Sequence, residues 1–192
     1  MIALSECQNV LSCIVVSDKY FLKQHFYIEG YFKRLLFIGL RLNSVQYKMA
    51  QDVIAAYHEP LEKMIERAWS LSGFYYRYDV SNYGNYKKLE TYFVKFTAKY
   101  RNYRVHGVYD EIKDDDLLEL LITINFRYFN ICNSYISSKG KPSVFNEPKD
   151  WGAKKGLQEN MGQVYSRLLS NIKPKVEVYR KEDVRKWLNE NP

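Results

Sequence analysis

Arg101, Asn102 and His106 stand within one short segment, Arg101-Asn102-Tyr103-Arg104-Val105-His106-Gly107. Between them these residue types can exchange a proton with a ligand and grip a phosphate. An ordinary imidazole titrates at about pH 6.5 and so serves as base or acid near neutrality. A guanidinium forks onto two phosphate oxygens and stays charged throughout. A fixed positive charge beside a histidine also disfavours the imidazolium, which keeps the ring available as a base. The other histidines, His25 and His58, fall inside helical patterns with no partner motif and read as ordinary bundle residues.

These groups need a helix end to meet. His106 lies five positions after Arg101, which on a continuous helix turns them about 140° apart. Gly107 supplies the stop, because glycine takes the left-handed conformation that closes a helix. Asp114, Asp115 and Asp116 then open the next helix, placing acid at the positive end of its dipole. Asp110, Glu111 and Glu119 complete an acidic group that reads as this helix start rather than as metal ligands. Neither a metal nor a cofactor is expected.

Four apolar stripes at helical spacing surround the motif. They are Tyr31–Val45, Val53–Leu71, Leu89–Tyr100 and Leu117–Tyr135. Pro60 either kinks the second or starts a new helix. Four stripes predict an all-α, up-and-down bundle over residues 1–140. Residues 141–192 form a basic C-terminal extension, with 12 Lys/Arg against 7 Asp/Glu over 139–192. Helices are expected there from about Leu157 to Ile172 and from Lys181 to Leu188, with a short extended piece at Val176–Tyr179.

Composition points the same way. Of 192 residues, 46% are hydrophobic, enough for a core. The net charge of +7 and 18 tyrosines suit a polyanion with stackable bases. Residues 74–107 hold eight tyrosines and seven Lys/Arg against two acids. Tyr75, Tyr76, Tyr78, Tyr83 and Tyr86 are candidates to stack on bases. Tyr103, Arg104, Arg77, Lys87 and Lys88 are candidate RNA-binding residues. Cys7, Cys13 and Cys132 lack CxxC spacing and read as free thiols in a reducing cytoplasm. Residues 1–17 make a poor signal peptide, and no apolar run is long enough to span a membrane.

The Arg-x4-His spacing, with a polar Asn directly after Arg and with Gly107 following, resembles the motif of the HEPN superfamily over about residues 20–137. That resemblance implies a HEPN-like bundle and a metal-independent endoribonuclease that cleaves single-stranded RNA by 2′-hydroxyl attack. His106 would move protons, Arg101 would hold the scissile phosphate, and Asn102 would bind or orient it. One histidine is poorly placed to remove and deliver protons in one step, so a homodimer with facing motifs is implied. Toxin–antitoxin or antiviral defence, with an antitoxin or other partner protein, is the implied setting. The alternative is a catalytically inactive RNA- or nucleotide-binding or scaffold module.

Overall fold

The computed structural model describes residues 16–57, 59–74, 86–153 and 180–191. Of these, 75% are helical and none is in a strand. The chain is therefore all-α, as the apolar periodicity predicts. The elements are α1 (Asp18–Leu42), α2 (Tyr47–Ala55), α3 (Leu61–Leu71), α4 (Tyr86–Thr91), a π segment (Tyr92–Thr97), α5 (Ala98–Val105), α6 (Asp115–Ser138), a 3-10 turn (Pro148–Trp151) and α7 (Lys181–Glu190). The second stripe is split: α2 ends at Ala55 and Pro60 precedes α3, so the proline starts a new helix. Arg77, His58, the loop tyrosines 75–83, the helix expected at 157–172 and the extended piece at 176–179 lie outside the described residues. Among the described residues, no helix is long and apolar enough to cross a membrane.

The chain divides into two compact units. The first comprises Met1–Ile28, Asn82–Ser134 and Val176–Pro192; the second comprises Glu29–Ser81 and Tyr135–Lys175. The expected extension is shared between them, its residues 141–153 in the second unit and 180–191 in the first.

The second unit is built on Trp69, which is 1% exposed. Its indole meets the rings of Phe32, Phe74 and Tyr135 at 5.7, 5.5 and 5.7 Å. Here α1 and α3 approach closely at Gly39. A Cβ added there would sit 2.7 Å from Leu71 Cβ and 2.9 Å from Leu71 C. Asn43 secures the approach by donating to the carbonyls of Gly39 and Leu71, each at 2.8 Å. Gly39→Ala is therefore expected to destabilise by about 1–3 kcal/mol, read as a lower urea midpoint.

In the first unit, His25 lies within 4.8 Å of Phe93, and Phe93 stacks on Tyr128 at 4.7 Å. Glu90 accepts hydrogen bonds from the hydroxyls of Tyr86 (3.0 Å) and Tyr128 (3.1 Å). Tyr86 is 1% exposed, so it belongs to the core and not to a base-stacking surface. Its hydroxyl has an internal partner in Glu90, which is what allows its burial. Cys132 lies beside it, and burial pushes its thiol well above the ordinary range. The helix α7 buries Val184 and Leu188 and sets Trp187 against Tyr92 of the π segment at 5.4 Å. Arg127 holds its end by donating to the carbonyls of Leu188 and Asn191.

Candidate active site

The helix carrying the motif is unlike its neighbours, because none of its residues is buried. Phe93, Phe96 and Thr97 of the π segment fill the core, and α5 then runs out into solvent. A π turn takes in an extra residue, which shifts the apolar stripe after Thr97, and such insertions recur at functional sites. Tyr100, expected on the stripe, is only half-buried, and burial raises its hydroxyl pKa.

The helix ends where the sequence predicts. His106 follows the last helical residue with φ −93° and ψ 10°, and its N–H donates to the Asn102 carbonyl at 2.9 Å. Gly107 has φ +69°. Val108 N–H donates to Tyr103 O at 2.8 Å and Gly107 N–H to Arg104 O at 3.4 Å, the paired bonds of a Schellman stop. A residue with a Cβ at position 107 would be strained in this conformation.

Asn102 and His106 are four apart and share a helix face. Arg101 reaches that face: its NH1 donates to Asn102 Oδ1 at 2.9 Å. The Arg101 guanidinium also lies 5.0 Å from the ring centre of Phe26, a cation–π contact that limits where it can swing. Arg101 is half-buried, while Asn102 and His106 are exposed. Phe26, Val105, Val108 and Tyr109, all exposed, border the same segment in contact or in sequence.

The remaining candidates have different surroundings. Lys87 and Lys88 are exposed, and Lys88 Nζ lies 5.8 Å from the Trp187 ring centre. Tyr103 packs edge-on against Tyr109 at 5.2 Å, with Lys99 over its ring. Arg104 is engaged internally. Its Nε donates to both carboxylate oxygens of Asp18 at 2.8 and 2.9 Å, and its NH2 donates to Oδ2 at 2.7 Å. Its NH1 donates to the Tyr109 carbonyl at 2.9 Å. The bond to Asp18 raises the pKa of this guanidinium further above its ordinary value. Asp18, which sequence reasoning did not single out, is 7% exposed.

Two residues of the acidic group, Asp114 and Asp116, pair with basic residues of α7. Asp114 caps α6, its Oδ1 accepting from Leu117 N–H at 3.0 Å, and Lys181 of α7 donates to Oδ2 at 2.6 Å. Arg185 pairs with Asp116 at 3.3 Å. The Lys181 bond lowers the Asp114 pKa. A lowered folded pKa means that the contact contributes fully above the unfolded carboxylate value of about 3.9. It is lost as pH falls through the folded value. Trp187 emission should therefore stay constant from neutrality down to about pH 4 and shift only below it. A surface depression of about 570 Å³ along α7 involves Asp116, Lys181 and Arg185, and no residue of the Arg101–His106 segment lines it.

Comparisons with family models, with curated proteins and with solved structures find no match to this chain.

Proposed function

We propose that the chain is a HEPN-type, metal-independent endoribonuclease acting on single-stranded RNA as a homodimer. The observation that carries this reading is the grouping of Arg101, Asn102 and His106 at one exposed helix end, joined by the 2.9 Å bond between Arg101 and Asn102. One imidazole takes the 2′-hydroxyl proton while O2′ forms its bond to phosphorus. The P–O5′ bond breaks, and the imidazolium of the second copy delivers a proton to O5′. The products are a 2′,3′-cyclic phosphate and a 5′-hydroxyl. Arg101 holds the phosphate charge through the pentacoordinate stage, and Asn102 keeps the guanidinium aimed.

The exposed Phe26, in contact with Arg101, and the exposed Val105, Val108 and Tyr109, within or just after the motif in sequence, support a second copy here, since exposed apolar groups favour association. Val108→Asp is expected to shift sedimentation from dimer to monomer and to abolish cutting with it. A toxin–antitoxin or antiviral defence role in the cytoplasm, with an antitoxin or other partner protein, is part of the same reading.

The test is incubation of the purified chain with single-stranded RNA in EDTA, beside Arg101→Ala and beside a substrate lacking 2′-hydroxyls. The reading requires cutting by the parent alone, cyclic-phosphate ends and an intact deoxy substrate. Binding without cutting would instead indicate an inactive RNA- or nucleotide-binding or scaffold module. Cutting that depends on added metal would overturn the mechanism.

A further inference from the structure

We infer that Asp18 is a positioning residue for His106, acting through Arg104; the inference rests on the ribonuclease reading above. Asp18 is the first residue of α1, in a turn where Ser17 Oγ accepts from Tyr20 N–H at 3.2 Å. The positive end of the helix dipole faces its carboxylate. Four hydrogen bonds converge on that carboxylate. Three come from Nε and NH2 of Arg104, and the fourth comes from the backbone N–H of Ile112 at 3.4 Å. Arg104 lies two residues before His106, and Ile112 lies six after it. Arg104 also grips the Tyr109 carbonyl. One buried carboxylate thus ties together the last turn of α5 and the loop that returns from it.

His106 sits between these anchors, and none of the bonds to Asp18 or Arg104 uses its ring. The backbone is held on both sides while the imidazole faces solvent. A reacting group needs this combination, because a displacement of about 1 Å can cost about 10²-fold in rate. The charge-assisted, two-pronged geometry fixes direction as well as distance. Arg104 is accordingly a brace, with Nε, NH1 and NH2 each donating to a protein acceptor.

The test compares wild type, Asp18→Asn, Asp18→Glu and Arg104→Lys as full chains, cutting RNA in EDTA well below their melting midpoints. Asp18→Asn keeps the shape and removes the charge. It should lower kcat by about tenfold to 10²-fold with KM little changed, and Asp18→Glu should recover part of the loss. In 13C-histidine spectra, the ring signal assigned by His106→Ala should shift or split in Asp18→Asn. If Asp18→Asn does not fold, Arg104→Lys carries the same expectation. A folded variant with unaltered kcat and an unmoved His106 signal overturns the inference, as does a rise in KM alone, which would mean direct contact with RNA. A wild type that cuts nothing ends the ribonuclease reading and this inference together. A cutting wild type with unaffected variants ends the inference alone.

Discussion

His106→Ala is expected to lower RNA turnover by about 10²–10⁴-fold, the usual worth of a placed proton-transfer group. The fold should not notice the change. His106 is exposed, its φ of −93° suits alanine, and the bond it makes to Asn102 runs through the backbone N–H. An exposed substitution of this kind ordinarily moves stability by less than about 0.5 kcal/mol. A melting curve alongside the rate measurement separates lost chemistry from lost structure. A folded His106→Ala protein that cuts at the parental rate would remove the histidine from the mechanism. Mixing His106→Ala with Arg101→Ala adds a second readout, since mixed dimers of a composite site should differ in rate from either parent.

The second large effect concerns stability. Trp69→Ala should cost about 3–5 kcal/mol, because it removes an almost fully buried indole and leaves a void that rigid neighbours fill poorly. Phe32, Phe74 and Tyr135 each lose a ring partner, and Phe74 also packs on Trp151 at 6.2 Å. Urea titration followed by near-ultraviolet dichroism would register the loss as a lower midpoint. A shift equivalent to less than about 1 kcal/mol would mean that the indole is far less central than its contacts imply.

Local signals carried much of the fold. Gly107 marks a helix stop because only a residue without Cβ takes its φ of +69° without strain, and Asp114 marks a start because its short carboxylate reaches Leu117 N–H. The last helix, expected over Lys181–Leu188, spans Lys181–Glu190. The apolar stripe assigned to the first helix began at Tyr31, whereas α1 starts at Asp18, because the buried Phe21 and Ile28 upstream extend the same pattern. What escaped the sequence was long-range or conformational. Arg104 looked available for RNA because its partner lies 86 residues earlier in the chain. Tyr86 looked like a stacking residue because nothing nearby announced that its hydroxyl would share Glu90 with Tyr128. No residue type encodes a π turn, so the exposure of α5 was unreadable beforehand.

The tract Tyr92–Thr97 lies only four residues upstream of Arg101. A π turn closes its hydrogen bonds over five residues instead of four, so deleting a single residue there would let an ordinary helix run through with the downstream direction nearly kept. Deleting one from the α-helical stretch between the tract and Arg101 would instead swing guanidinium and imidazole by about 100° round the axis. Natural variants of this protein should accordingly tolerate the loss of a residue within the tract more readily than just after it.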